Sequence, residues 1–567
     1  MRAVTSPVAP TSLRPQRPVG ARLVDLARTA GTRPTGRPAT AAGVRNASSA
    51  GACAPTGGPS SGAGLDDLLI TGITHRAQEA RPGDLFAALP GTRVHGAEFA
   101  AAAVNAGAVA VLTDPAGAAR LDTDPVTADL PRLIVDEPRR VLGAVAAQVY
   151  GDPSRRLQVV GVTGTAGKTT TGYLLERALA ADGSRTGLIG TVQTRWGDPD
   201  GGVTVLPSSL TTPEAPDLQA LFAVMVEQGV DAVAMEVSSH ALSLGRVDGT
   251  HFEVGAFTNL SQDHLDFHRD MEDYFQAKAQ LFDGRARRPV VMVDDEWGQR
   301  LAADHPEAVT VSTHPGRPAD WRVCGAVPLP AGRQQVSLLG PDDAAIGFNL
   351  ALPGPFNVAN AGLAVACVNA LGRDPHEAAA ALDDVVVPGR MERVLAGQDF
   401  LAVVDYAHKP GALAAVLDAV RHGLVGRLIL VIGAGGDRDH GKRPMMGAEA
   451  ARRADLVIVT DDNPRSEDPG GIRAAVLAGA RAVVAEGVGD RAVELREIGD
   501  RREAIRAAVA AAGPGDAIVI AGKGHETGQK VGDELLPFSD RQELEQALQA
   551  LDARVTPADA GGTGGPA

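Results

Sequence analysis

A chain of 567 residues is too long for one hydrophobic core and implies three or four domains of about 100–200 residues each. Its formal charge of −15 argues against a general polyanion-binding surface, and so against nucleic acid as the main partner. The three scattered cysteines, Cys53, Cys324 and Cys367, fit a reducing cytoplasm and neither a disulfide framework nor a zinc site, and no apolar run is long enough to span a bilayer.

Residues 1–65 are rich in Pro, Thr, Ala, Gly and Arg, with Asp25 the only acidic residue before Asp66. Such a stretch buries too little apolar surface to offset its ordering entropy and reads as a disordered extension, with a short helix over Ala21–Thr29. It lacks the apolar centre of a signal sequence. From Leu68 the pattern changes: strand Leu68–Ile73, turn Pro82-Gly83-Asp84, strand Leu85–Leu89, helix Ala97–Ala106 and strand Ala108–Leu112 make a small α/β domain over 66–153. Thr92, Arg93 and His95 fit a solvated loop and a small-molecule contact equally well.

The block 154–393 alternates strands with helices and reads as a doubly wound parallel sheet. At its head, Val159–Val162 breaks into Gly164-Thr165-Ala166-Gly167 and continues into a helix through Lys168, Thr169 and Thr170. This is a phosphate cradle: glycines turn backbone N–H groups inward, the helix N-terminus adds positive charge, Lys168 supplies an ammonium and Thr169 a hydroxyl for magnesium. It is a variant of the usual loop, with Val162 where the first glycine should stand. Val230–Met235 is an apolar strand ending in Glu236, a carboxylate at a buried strand tip that a cation would receive. His264 sits in a dense polar cluster, TNLSQDHLDFH, suited to a second metal shell or a reacting centre. By periodicity Lys278 is an ordinary snorkelling lysine. Asn360, early in a helix, either caps it or reads an adenine edge, and Arg390 either reaches a phosphate or pairs with a carboxylate.

The block 394–552 is again alternating α/β, and four of its strands end in polar, glycine-bearing loops: DYAHKP, GAGGDRD, TDDNPR and AGKGHE. In a parallel sheet those ends share one edge, where ligands bind. Residues 553–567 are a Gly/Pro/Ala tail without structure.

Taken in order, GTAGKTT, LTTPE, EVSSHAL, TNLSQDHLDFH, YFQAKAQLF, GPFNVAN, PGRMERV, DYAHKP, GAGGDRD, DDNPR and AGKGHE resemble the Mur ligase family from about Leu68 to Leu551. The resemblance implies three α/β domains: a uridine-nucleotide domain, a central ATPase and a Rossmann-like C-terminal domain. It further implies a cytoplasmic, monomeric, ATP-dependent ligase of peptidoglycan precursor synthesis. Its substrates would be ATP, UDP-N-acetylmuramoyl-L-alanyl-D-glutamate and meso-diaminopimelate, with magnesium as cofactor.

By the same resemblance Thr169 and Glu236 hold one magnesium, and His264 helps hold a second with Lys278, which the family carries as a carbamate. Asn360, Arg390 and Asp405 match ATP contacts. Thr92, Arg93, Val94, Thr211, Thr212, Ser238 and Arg246 match contacts to the UDP-muramoyl substrate. Arg438, Asp462, Asn463, Pro464, Arg465, Gly522 and Glu526 match those to diaminopimelate, and Arg465 argues against lysine as the amine because lysine-adding relatives lack it. One departure stands out: where the family often has Asp-Ser-Arg before P-G-D, this chain has Arg76-Ala77-Gln78, so the serine that would touch uracil is an alanine. The rival readings are a lysine-adding Mur-type ligase, a folylpolyglutamate synthase-type ligase and a non-catalytic sensor of the muramoyl nucleotide.

Overall fold

Val, Ile and Leu runs bounded by glycine and polar residues become the parallel strands of three α/β layers, in a computed structural model that describes residues 13–36, 64–341, 344–487 and 493–555. By their contacts these residues divide into two units, one running to Ser312 and including Leu363–Ala378, the other comprising Thr313–Gly362 and the chain from Ala379.

The first unit holds two sheets. The smaller has strand order Pro34–Thr35, Arg132–Ile134, Ala110–Thr113, Asp84–Ala87, Gly72–Thr74, parallel except for its first member. The expected single strand Leu68–Ile73 is split: Leu69–Ile70 pairs with Ala21–Arg22, and Gly72–Thr74 joins the sheet. The expectation of a disordered extension over 1–65 fails for residues 13–36. Helix Leu23–Thr29 buries Leu23, Leu26 and Ala27 in the same core as Ile70, Leu85, Leu112, Leu142 and Val145. Arg14 donates to Ile73 O at 2.7 Å and pairs with buried Asp84 at 3.1 Å. A few well-placed apolar side chains suffice because their partners are already assembled by the sheet. The rest of 1–65 lies outside the described residues.

The larger sheet of this unit runs Val203–Pro207, Gln193–Gly197, Thr186–Ile189, Ala232–Glu236, Gln158–Thr163, Phe252–Phe257, Ala286–Met292, Val309–Ser312. An antiparallel hairpin forms one edge and the other six strands are parallel. Register decides the chemistry: Glu236 stands beside Val162 and Phe257 beside Thr163, so three strands release their loops at one edge.

The second unit holds an antiparallel trio, Trp321–Leu329, Arg333–Leu339 and Ala345–Leu350, and a six-stranded sheet. The order of the latter is Glu392–Arg393, Leu401–Asp405, Ala517–Ala521, Leu428–Ile432, Leu456–Val459, Glu494–Glu497, parallel except for the first. Separate apolar clusters cover its two faces, one around Leu417, Leu430 and Val476, the other around Ile505, Ile518 and Leu544. Helix Asp540–Val555 reaches past the point, 553, where an unstructured tail is expected; the remainder of that tail lies outside the described residues. Among the described residues no helix is long and apolar enough to cross a membrane.

Candidate active site

Strand Gln158–Thr163 passes into helix Lys168–Leu179 through a turn at Gly164, whose φ is +143° and whose missing Cβ makes room for the Thr258 hydroxyl. Val162 is still a buried strand residue, so the turn does not need a glycine there. The loop is pinned from outside: Asn259 accepts from Ala166 N–H at 3.0 Å and donates to Ala166 O at 3.1 Å, while Thr258 Oγ1 donates to the same carbonyl at 2.7 Å. Lys168 Nζ folds over it, donating to Gly164 O and Thr165 O at 2.9 and 3.0 Å. Thr170 is buried in the first turn.

Thr169 Oγ1 donates to Glu236 Oε2 at 3.0 Å, and Thr191 donates to the same carboxylate from its N–H at 2.7 Å and its hydroxyl at 3.1 Å. This buried set of hydroxyl and carboxylate oxygens at a helix N-terminus fits a hard divalent cation. Among the described residues no cluster of three or more His, Cys, Asp or Glu side chains is arranged for a metal. A cation there would therefore complete its shell with phosphate and water oxygens, as magnesium commonly does.

Lys278 departs from the snorkelling expectation. It is 1 % exposed, donates to Gly164 O at 2.7 Å and lies 4.6 Å from the Tyr274 ring centroid. Burial, with the charge of Lys168 adding to it, holds its amine well below the ordinary lysine range. His264 adopts φ +52°, packs edge-on to His240 at 4.9 Å and lies 3.6 Å from Asp263. His268 is buried against Ser239 Oγ at 2.9 Å, a structural role.

Of the residues matched to the muramoyl substrate, Thr211, Thr212, Ser238 and Arg246 gather around Glu236. Thr211 Oγ1 is 3.0 Å from Thr191 Oγ1, Thr212 donates to Glu236 O at 2.8 Å, and Ser238 caps helix Ser239–Ser243. Arg246 pairs with Glu214 at 2.8 Å and donates to Thr212 O at 3.4 Å. Thr92, Arg93 and Val94 do not join them and stand exposed in a turn after Gly91. His95 fixes the end of that turn, accepting from Ala97 N–H at 3.0 Å with Asp114 Oδ1 at 3.0 Å from its other nitrogen. Ala77, where the family often has serine, is buried core, and Arg76 beside it forks onto Asp217 at 2.7 and 3.0 Å.

In the second unit Asn360 donates to Asn357 Oδ1 at 3.4 Å, and Asn357 donates back to Pro353 O at 2.7 Å. Asp405 accepts from Met391 N–H and Ala407 N–H at 2.8 and 2.7 Å; its burial raises the carboxyl above the usual range despite Arg390 nearby. Arg390 lies 4.4 Å over the Tyr406 ring, with His408 and His525 at 4.6 and 5.3 Å from that ring. Gly389 permits this packing, since a Cβ there would strike the Gly524–His525 backbone.

The loop after strand Leu456–Val459 buries Asp462 and Asn463 and turns at Pro464-Arg465, with Arg465 at φ +53°. Arg465 donates to Gly436 O at 2.6 Å from its guanidinium and to Lys530 O at 3.0 Å from its N–H, and its carbonyl accepts from Gly532 at 2.7 Å. Arg438 is exposed on the neighbouring Gly433–Asp439 loop. Gly522 stands close to Asp462 Oδ2, and Glu526 Oε2 accepts from Asn463 Nδ2 at 2.9 Å. Of the five non-glycine residues with positive φ among the described residues, His264, Met391, Asp437 and Arg465 lie in these loops and Asp152 does not, and such strain concentrates where a loop must present a group to a ligand. Sequence reasoning does not single out Thr191, Asn259 or Lys523. For Thr191 the signal is the parallel pairing of Ile189 with Met235, which sets it beside Glu236.

These features define an α/β phosphate-loop enzyme with hydroxyl and carboxylate oxygens gathered at the edge of one sheet and polar, glycine-bearing loops along the edge of another. Comparison with known proteins makes the class specific. Residues 69–150 match the Mur ligase family catalytic domain, 162–368 the Mur ligase middle domain and 389–524 the Mur ligase glutamate ligase domain. The UDP-N-acetylmuramoyl-L-alanyl-D-glutamate–2,6-diaminopimelate ligase of Corynebacterium efficiens is 57% identical over 83% of this chain and 88% of its own length. The protein of that name from Streptomyces coelicolor is 53% identical over 85% and 92%. A solved structure of a ligase with the same name superposes with a TM-score of 0.62 at 30% identity, covering 87% of this chain and 97% of that one. The chain belongs to the Mur ligase family.

Proposed function

We propose that the protein is the ATP-dependent ligase that joins meso-diaminopimelate to UDP-N-acetylmuramoyl-L-alanyl-D-glutamate in the cytoplasm. A carboxylate and an amine do not condense in water unaided, and phosphorylating the carboxylate supplies the leaving group. The D-Glu side-chain carboxylate attacks the γ-phosphorus of ATP, releasing ADP and forming an acyl phosphate. The amine then attacks the acyl carbon, loses a proton, and the tetrahedral intermediate collapses to amide and phosphate.

In the chain, Gly164, Thr165, Ala166, Gly167 and Thr170 cradle the phosphates, and Lys168 exchanges its two carbonyl partners for phosphate oxygens. Magnesium, held by Thr169 and Glu236 with a second ion at His264 and carbamylated Lys278, would offset the charge of the moving phosphoryl group. Lys278 suits that modification because its depressed pKa leaves a neutral amine able to add to CO2 with loss of a proton. Thr211, Thr212, Ser238 and Arg246, with Thr92, Arg93 and Val94, hold the muramoyl nucleotide, and Asn360, Arg390 and Asp405 contact ATP. Arg465 and Arg438 take the carboxylates of diaminopimelate, while Gly522 and Glu526 hold its distal ammonium and the carboxylate beside it, with Asp462 and Asn463 on the same turn shaped by Pro464.

The observation that carries the reading is the Thr169–Glu236 oxygen pair on a phosphate loop, in a chain 57% identical to a ligase of that name. The test incubates purified protein with ATP, Mg²⁺, the UDP-muramoyl dipeptide and a panel of amines, with products read by mass spectrometry. A diaminopimelate adduct is expected. Absence of any tripeptide nucleotide, or preference for lysine, overturns the reading.

A further inference from the structure

Lys523 is fully buried, which is costly for an ammonium unless every donor is used. Its Nζ donates to Asn463 Oδ1 at 3.0 Å and to Glu526 Oε2 at 2.9 Å, and lies 3.6 Å from Asp462 Oδ1. That last oxygen is buried and has no hydrogen bond of its own among the described residues. The three groups come from two separate loops, after strands Leu456–Val459 and Ala517–Ala521, and Lys523 reaches all of them.

The arrangement fixes orientations as well as charge. Asn463 Oδ1 accepts from Lys523 and from Lys530 N–H at 2.8 Å, so its amide cannot flip, and its Nδ2 must point at Glu526 Oε2. Glu526 Oε2 is thereby occupied twice. Oε1 has no hydrogen bond among the described residues, on a side chain 34 % exposed. Burial alone would raise the Glu526 carboxyl; Lys523 and Asn463 outweigh it and hold the carboxyl below the usual range, so it is anionic. Deeper still, Arg501 and Asp540 form a fully buried pair at 2.7 Å, and Arg501 Nη2 donates to Ala521 O at 2.9 Å, anchoring the strand end that carries Lys523.

We infer that Lys523 is a positioning residue for the amine substrate: with Asn463 and Asp462 behind it, it locks Glu526 so that Oε1 is left as a preset acceptor for an ammonium group, without touching the substrate itself. This rests on the ligase reading above. Without Lys523, Asp462 and Glu526 would keep only the more distant charge of Arg501 between them, and Asn463 would lose one of the two donors that fix its amide.

The experiment compares wild type, Lys523→Met, Glu526→Gln and the double variant, measuring KM and kcat for each of the three substrates and confirming the fold by circular dichroism. For Lys523→Met the KM for diaminopimelate is expected to rise at least about tenfold, with those for ATP and the muramoyl dipeptide within about twofold. The double variant should lose clearly less than the product of the two single effects, because both act through one hydrogen-bonded unit. An unchanged diaminopimelate KM, a common rise in all three KM values, or multiplicative effects overturns the inference. Should Lys523→Met not fold, Lys523→Gln, which keeps an amide donor but no charge, is read by the same KM comparison. Wild type inactive with diaminopimelate overturns the ligase reading itself, and the two failures are thus told apart.

Discussion

Replacing Lys278 with Met should stabilise the protein while abolishing turnover. The lysine is 1 % exposed, and among the described residues no carboxylate pairs with its ammonium. Its compensation is a hydrogen bond to Gly164 O and the Tyr274 ring face, together about 2–5 kcal/mol, with a Coulombic contribution from Asp263. Against this stands the cost of burying the lysine, several kcal/mol whether taken as desolvation of the ammonium or as loss of its proton to give the neutral amine, and increased here by Lys168. Methionine keeps the apolar stem in place at similar volume, and Gly164 O retains Lys168 as donor, so no orphaned carbonyl results. The net gain expected is about 1–4 kcal/mol, each kcal/mol raising Tm by about 2–4 °C in a domain of 150–250 residues.

The pH dependence follows from the sign of the shift. The folded lysine loses its proton at lower pH than the unfolded one, whose value is 10.5, so wild type gains stability as pH rises toward 10.5 and the advantage of Met shrinks over that window. Calorimetry in bicarbonate-free buffer with chelator, at several pH values, measures this, alongside tripeptide formation. A Met variant that is less stable than wild type, or that turns over normally, refutes the reasoning.

Arg465→Ala should raise the KM for diaminopimelate about 10–100-fold and leave that for ATP within about twofold, the loss of a bidentate charged contact. Arg465→Gly relieves the positive φ of that position and should show the same kinetic loss, which separates ligand contact from loop strain. Leu26→Ala should destabilise the first unit by about 2–5 kcal/mol in a denaturant titration, since Leu26 is fully buried in the core of the small sheet. His408 and His525 are held down to about 4, chiefly by burial, and the unfolded chain takes up their protons first, near 6.5. Stability should therefore fall as pH drops from 6.5 toward 4, by at most about 1.4 kcal/mol per pH unit for each, and His408→Asn should flatten that slope in urea midpoints.

The phosphate loop is readable from sequence because strand, turn and helix are contiguous, and the turn needs glycine where the chain has it. The same holds for the four ligand loops of 394–552, each a strand end. The surroundings of Lys278 are not readable, since Gly164 meets it from 114 positions away and periodicity cannot report that closure. Within residues 13–36 the helix is readable but its docking is not, for a related reason: Leu23 and Leu26 are too few to mark a core, and their partners, such as Leu112 and Val145, come from distant elements. Thr191 lies outside every motif, and Lys523, though inside AGKGHE, acquires its meaning only through the oxygens it holds.

Strand Pro34–Thr35 pairs with Arg132–Ile134 at the outer margin of the small sheet. Without it, Arg132–Ile134 would offer bare amides and carbonyls to any neighbouring chain, the geometry from which runaway β-association starts. The segment at 13–36 is thus a shield against self-association, and a protein shortened to begin at its first family-matched residue, 69, should precipitate at concentrations the full chain tolerates.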